Sequence, residues 1–439
     1  MTGPLGHNVE PAEVLFEPFS INALPIANRI VMGPMAVLAA RADGRPSDQT
    51  LAFLCERARG GVGMIILGGS TATLRAYEES AVKGVVRMDD DRFVPDLKRM
   101  TNAVHACGTP IIAELTAGFG PMAKPSTAWP LIAASPKNVV MKRDQLPKGI
   151  LAPEDRATPT PREATLEEIR QLEREMAASA LRCKRAGFDG VEVAAHMSYF
   201  LASFLSPRTN WRSDEYGGSI ENRARALVNI VRRIREQAGA TFPIGLRISA
   251  NEHVEGGQGP EEYAAVAQCV EREGLDYVAL SDGTYESMYR SAPDTDAAAV
   301  EHGEAQAFRQ ALSCRVMIGS THDARRAADV IAQGHADAVM FARQLIADPQ
   351  YADKVRAGRL DEIVRCDREN QCMRRMIMGI PVRCPVNPRM GRESRRPGER
   401  PPLGRLIKAP IEHTVLSATG SERIMNLVGK ATRKRTQKS

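Results

Sequence analysis

Three cysteines, Cys366, Cys372 and Cys384, fall within nineteen residues of one another, while Cys55, Cys107, Cys183, Cys269 and Cys314 stand singly among apolar neighbours. Isolated cysteines behave as small hydrophobes. Clustered thiols in a chain without an export signature point to a metal or redox site before a disulfide framework. A second chemistry-bearing set is Gly319-Ser320-Thr321 with Ala342-Arg343, each following a short apolar run and opening a helical one. Small residues at a helix start leave backbone N–H groups for an anion, and an arginine adds a charge-assisted contact. The set therefore reads as a phosphate site. A third is Arg247, inside Gly245-Leu-Arg-Ile-Ser249. A guanidinium among apolar residues is costly unless it meets an anion or a polarised ligand, the alternative being an internal salt bridge.

Positioning these groups falls to a repeating pattern. Short apolar runs occur at 29–33, 63–67, 110–115, 190–194, 243–248, 277–280, 315–318 and 338–341. Amphipathic stretches lie between them, including 48–59, 166–186, 219–237, 260–273 and 323–333. Met64-Ile65-Ile66-Leu67 and Val339-Met340-Phe341 are apolar on both parities, the mark of parallel strands buried on both faces. Eight β-then-α units in order predict an α/β fold, a (β/α)8 TIM barrel with a C-terminal post-barrel extension. An open doubly wound sheet is the alternative. The division expected is a barrel over 10–360, a cysteine-containing segment over 361–392 and a basic tail over 393–439, unstructured from about Thr414. Residues 121–160, rich in Pro, Ala and Lys, follow the third strand where barrel active sites form, and read as a lid.

Length alone, 439 residues, suggests two or three domains, but barrels of this class run long as single units. Net charge is +6, yet the last 49 residues hold twelve Lys/Arg against four Asp/Glu. The body is therefore near neutral, with no basic face for nucleic acid. The tail reads as a solvated arm, the alternative being a dock for an acidic partner. No apolar run is long enough to cross a bilayer, and the first residues carry no secretory pattern, so no membrane association and a cytoplasmic location are expected.

The residues from Phe204 through Asn210-Trp211-Arg212, Asp214 and Tyr216-Gly217-Gly218 to Glu221-Asn222-Arg223 resemble the signature of the old yellow enzyme family. Asn28-Arg29 with Pro34-Met35-Ala36 is similar to that family's first strand and flavin-contacting loop, and Ile346-Ala347-Asp348-Pro349 to the ending of its phosphate site. The resemblance, from about 15 to 388, is nearest the barrel of the 2,4-dienoyl-CoA reductase and trimethylamine dehydrogenase branch. It implies flavin mononucleotide (FMN), where the residues themselves gave a phosphate ligand and a buried arginine. By resemblance, Pro34, Met35 and Ala36 lie along the isoalloxazine and Gly68 belongs to the cofactor-binding set. Arg247 faces the pyrimidine ring, and Gly319, Ser320, Ala342 and Arg343 hold the phosphate. Glu114 stands where relatives carry a glutamine at the pyrimidine edge, so it is either protonated by burial or turned elsewhere.

The substrate end departs further. The His-x-x-His or His-x-x-Asn carbonyl clamp of most relatives falls on Ala194 and Met197. Tyr199 resembles the tyrosine proton donor of the dienoyl-CoA reductases, and Tyr285 takes the place of a second acid, with Tyr289 nearby. His196 is one position from the lost clamp, the alternative being a hydrogen-bonded core histidine. In the same branch four cysteines bind a [4Fe-4S] cluster. Here Cys366, Cys372 and Cys384 match, but Glu369 replaces the second cysteine, so either a carboxylate serves as a weaker ligand or the segment is a remnant without a cluster. No Gly-x-Gly-x-x-Gly follows the barrel, and the branch's second nucleotide-binding half is expected to be absent.

The leading expectation is an FMN-dependent oxidoreductase that reduces an activated C=C bond. Hydride would pass from flavin N5 and Tyr199, or a neighbour, would protonate the α-carbon. NADH, NADPH or an electron-donating protein would reduce the flavin, the substrate would be a small molecule, and a homo-oligomer is open. The alternatives are FMN-dependent N-methyl amine dehydrogenation or demethylation, disfavoured by only two tryptophans, Trp129 and Trp211, and a barrel that binds flavin or another phosphate ligand without turnover.

Overall fold

The structure, a computed structural model, describes residues 12–395, 411–412 and 414–428. Eight parallel strands close into a barrel: β1 (Ile30–Met32), β2 (Met64–Leu67), β3 (Ile111–Leu115), β4 (Gly190–Ala195), β5 (Ile244–Ser249), β6 (Tyr277–Ser281), β7 (Arg315–Ile318) and β8 (Ala338–Phe341). Each pairs with its sequence neighbour and β8 pairs with β1, so the open-sheet alternative is excluded. All eight expected strands are present.

The main helices are α1 (Asp48–Arg59), α2 (Val94–His105), α3 (Leu166–Arg185), α4 (Ile220–Ala238), α5 (Pro260–Glu271), α6 (Glu304–Ala311) and α7 (Ala324–Ala332). Capping explains several starts. Ser47 and Thr165 each accept the N3 backbone N–H in a capping box, and Asp323 accepts from Arg325 and Arg326 N–H.

Alternation along the strands sorts two cores. Outward residues such as Val191, Val193, Leu246 and Ile248 pack under the helices. Inward residues Val31, Met64, Ile66, Ile112, Tyr277, Met317 and Met340 form a separate cluster. A hairpin, Phe19–Ile21 paired antiparallel with Leu24–Ile26, adds Ile21 and Ile26 to that inner cluster and plugs one end. Gly245 is required inside: a Cβ there would lie 2.0 Å from the Tyr277 ring. The same inward rows carry Glu114, Glu192 and Arg247, because a two-residue period leaves every second position of β3, β4 and β5 facing the axis.

Residues 121–160 are not structureless. Ile132–Ala133 pairs with Arg162–Glu163, and Val140–Met141 with Arg156–Ala157. The signature segment anchors this insertion. Arg212 donates to the carbonyls of Ala134 and Ala164 while pairing with Asp214, and Asn210 donates to the carbonyls of Phe204 and Tyr216. After β8 come α8 (Arg343–Ala347), α9 (Tyr351–Arg356) and α10 (Gln371–Ile377). Residues 414–419 and 422–428 are helical, and Thr419 and Asn426 bond Met378 and Arg143. The basic run from Arg433 to Lys438 and most of the Pro/Arg-rich stretch 395–402 lie outside the described residues. No helix among the described residues is long and apolar enough to cross a membrane.

Candidate active site

At the C-terminal end of the barrel the chain after β4 turns sharply. Met197 and Ser198 both sit in the left-handed backbone region, at φ 54° and 59°. Non-glycine residues adopt it only when their surroundings hold them there. Here Met197 N–H donates to Ser249 Oγ and Tyr199 N–H to the His196 carbonyl. The turn brings Tyr199 over the mouth, where its hydroxyl is 3.2 Å from that of Tyr285, from the loop after β6. The rings of Phe119 and His196 stand edge-on to Tyr199 at 5.1 and 5.5 Å. Burial first, then the paired hydroxyl, raises the Tyr199 phenol well above its ordinary range, and burial raises Tyr285 too. Both are neutral proton donors near pH 7.

The three catalytic candidates named from the sequence, Tyr199, His196 and Tyr285, are thus brought together. Tyr289 is not: its hydroxyl accepts from Arg290. His196 contacts Ser281 Oγ through Nδ1 at 3.2 Å, and burial, helped by the Arg247 charge, lowers it to about 3. It is a neutral imidazole.

Below this layer lies a charged group. Arg247 Nε is 2.8 Å from Glu192 Oε1 and 3.3 Å from Glu114 Oε1, and a terminal nitrogen reaches Met340 Sδ at 3.1 Å. The internal salt bridge kept as the alternative is therefore formed. Glu114 is not turned elsewhere. Its carboxyl points at Arg247 and lies 3.9 Å from His196 Nε2, and burial drives it up to about 7 against the pull of Arg247. Glu192 was missed by sequence reasoning. A glutamate at a strand's inward parity, flanked by Val191 and Val193, was the available signal.

The phosphate candidates also converge in the fold. Ser320 adopts φ 59° just after Gly319. Among the described residues, the backbone N–H groups of Ser320, Thr321 and Arg343 donate no hydrogen bond. Arg343 donates to Asn370 Oδ1 at 2.8 Å and the Pro293 carbonyl at 3.1 Å, and has no carboxylate within ion-pair distance among the described residues. Partly buried donors and an unneutralised guanidinium fit an anion such as a phosphate. The N–H groups of His322 and Asp323 are taken by Asp296, which also pairs with Arg368. Ala342 sits between β8 and α8. Pro34 and Met35 press on Gly68, where a Cβ would lie 2.4 Å from Met35 N, and Ala36 presses likewise on Gly69. The glycine pair lets the first loop lie flat across the end of β2. These residues fit a flavin mononucleotide with its phosphate at the β7 and β8 ends.

The cysteine segment fits its cluster less well. Cys366, Cys372 and Cys384 are close enough to influence one another electrostatically, and burial with the neighbouring thiols pushes Cys372 up to about 11. Glu369, however, pairs with Lys148 at 2.7 Å, and both side chains are half exposed. Three thiols and a carboxylate held elsewhere do not make the four-thiolate set of a [4Fe-4S] cluster. A small cleft opens between the insertion and the loops after β4 to β6, lined by Pro121, Lys137, Ser198, Arg208, Glu252 and Glu286 among others.

Comparison with known proteins agrees with this geometry. The chain is 35% identical over 386 residues to an NADH oxidase of Thermoanaerobacter brockii, covering 86% of this chain and 56% of that protein. It is 31% identical over 405 residues to a cinnamate reductase of Clostridium sporogenes, covering 87% and 58%. Among solved structures it resembles a 2-naphthoyl-CoA reductase in complex with 2-naphthoyl-CoA (TM-score 0.77, 27% identity, 87% of this chain and 58% of that one). It also resembles histamine dehydrogenase from Rhizobium sp. 4-9 (TM-score 0.75, 25% identity, 88% and 53%). The chain spans little more than half the length of these relatives. The model of the NADH:flavin oxidoreductase / NADH oxidase family matches residues 14–362, most of the chain, which therefore belongs to that family, the old yellow enzymes.

Proposed function

We propose that this chain is an FMN-dependent oxidoreductase that reduces an activated carbon–carbon double bond, using NADH, NADPH or a partner protein as electron source. The observation carrying the reading is the pair of neutral, buried tyrosine hydroxyls, Tyr199 and Tyr285, 3.2 Å apart above a floor of buried charge. FMN, when bound, supplies hydride to the substrate's β-carbon. The chain's own part is the proton. Tyr199 holds one at its phenol oxygen because burial, and then the neighbouring Tyr285 hydroxyl at 3.2 Å, disfavour the phenolate. The unpartnered N–H groups of Ser320, Thr321 and Arg343, with the Arg343 guanidinium, would hold the phosphate. The cinnamate reductase and 2-naphthoyl-CoA reductase relatives support a conjugated acyl substrate.

One observation favours a second reading, oxidation of a C–N bond. Phe119, Tyr199 and Tyr285 border the site as aromatic rings, a setting that attracts a cation. An N,N-dimethylglycine/sarcosine dehydrogenase of Chromohalobacter salexigens is 28% identical over 387 residues. Anaerobic spectroscopy separates the two. Flavin bleached by NADH or NADPH and re-oxidised by a cinnamoyl or enone compound supports the first reading. Bleaching by an N-methylated amine without nicotinamide supports the second.

A further inference from the structure

Beside the tyrosines, on the same face of the barrel, a second polar cluster takes no part in the proposed chemistry. Asp282 directly follows β6, His253 lies in the loop after β5, and Glu304 is the first residue of α6. His253 Nε2 is 2.7 Å from Asp282 Oδ1 and 3.4 Å from Glu304 Oε1, and one donor atom from each residue lies within 4.8 Å of the others. Glu304 is fully buried and Asp282 nearly so. The second oxygen of each carboxylate, Asp282 Oδ2 and Glu304 Oε2, is buried with no hydrogen-bond partner.

A proton on His253 alone leaves Asp282 Oδ2 and Glu304 Oε2 without a partner. A protonated His253 offers one N–H at Nε2, and that already faces Asp282 Oδ1 and Glu304 Oε1. Asn251 adds a single long contact to Glu304 Oε1 at 3.4 Å, and Gly283 N–H donates to Asp282 Oδ1. Arg290 is engaged with Tyr289 and His302, and the His302 ring stands edge-on to His253 at 5.9 Å. Buried carboxylates left this way are costly unless a cation joins them.

We infer that His253, Asp282 and Glu304 form a binding site for one divalent first-row transition-metal ion. Metal–ligand bonds of about 2.0–2.2 Å put neighbouring donors roughly 2.8–3.1 Å apart in an octahedral shell and roughly 3.3–3.6 Å apart in a tetrahedral one. The observed 3.4 Å falls within that spacing and the observed 2.7 Å just short of it. One imidazole with two carboxylates suits an ion of intermediate hardness such as Mn2+, Fe2+ or Zn2+ better than Mg2+, which demands a near-ideal oxygen octahedron. The ion would tie the loops after β5 and β6 to the start of α6. Asp282 is three residues before Tyr285, so its role would be to hold the loop that presents that tyrosine.

Mn2+ is the appropriate probe, because the thiols at Cys366, Cys372 and Cys384 would compete for Zn2+. Full-length protein freed of metal with a chelator is titrated with MnCl2, free Mn2+ being read by electron paramagnetic resonance, with MgCl2 in parallel. One Mn2+ should bind per chain, and Mg2+ should bind far more weakly. Asp282→Asn and Glu304→Gln should each weaken binding by at least the roughly 10–100-fold attached even to outer partners of metal sites. Glu301→Gln, on the exposed helix turn before Glu304, should leave it unchanged. If Glu304→Gln does not fold, Asp282→Asn and His253→Gln carry the test. Wild-type protein without stoichiometric Mn2+ binding, or folded variants that bind as wild type does, would overturn the inference. The readout needs no flavin, so it stands or falls separately from the proposed activity.

Discussion

Glu114 offers a quantitative test of the charged floor. Its carboxyl is buried beside Arg247 and Glu192, and burial raises it from an ordinary 4.5 to about 7. The native protein thus holds this proton more tightly than the unfolded chain. Its contribution to stability is complete below the ordinary carboxyl value and is lost as pH rises through about 7. A rise of this size corresponds to about 3 kcal/mol, at 1.36 kcal/mol per unit. Glu114→Gln keeps the shape and removes the titration, while Arg247 retains Glu192 at 2.8 Å. Urea unfolding followed by circular dichroism should show the variant gaining on wild type as pH goes from 4.5 to 8, the difference growing by about 3 kcal/mol. A difference that stays flat across that range, or shrinks, would refute the reasoning, because it would mean that Glu114 is ionised in the native barrel throughout.

Tyr199→Phe should slow alkene reduction by roughly 10²–10⁴-fold while leaving flavin reduction by nicotinamide unchanged, read by stopped-flow in the two half-reactions. Equal alkene rates would remove Tyr199 as the acid. Arg212→Ala should cost about 3 kcal/mol, since Asp214 and the carbonyls of Ala134 and Ala164 lose their donor, and proteolysis should then cut within 121–160. Glu369→Cys should convert the post-barrel segment into a four-thiol set. Anaerobic reconstitution with iron and sulfide should then give the broad absorbance and acid-labile sulfide of a [4Fe-4S] cluster, which wild-type protein should not form stably.

Much of the scaffold was legible because parallel strands buried on both faces announce themselves as apolar runs of both parities. Met64–Leu67 and Ala338–Phe341 are such runs, and all eight strands follow. The plug hairpin at 19–26 was not legible: three-residue strands carry too little periodicity. Helix α2 (Val94–His105) begins without a side-chain cap, so its start carries less of a signal than those of α1 and α3. At the site, Tyr199 and Tyr285 could be named from the resemblance to the dienoyl-CoA reductase branch, and His196 from its place one position from the lost carbonyl clamp, just after β4. What the sequence could not convey was pairing across the barrel axis. Arg247 reads as a cation awaiting a ligand until the shared register of β3, β4 and β5 sets Glu114 and Glu192 beside it. Likewise His253, Asp282 and Glu304 are separated by 29 and 22 positions and meet only because three loops converge.

The account rests on a mononucleotide whose phosphate lies against Ser320, Thr321 and Arg343. Titration of flavin-free protein with FMN and with riboflavin, followed by fluorescence quenching, tests this directly. Charge-assisted bonds to the phosphate should make FMN bind about 100-fold more tightly than riboflavin, and Arg343→Ala should erase most of that difference. Equal affinities for the two flavins, or none for either, would contradict it.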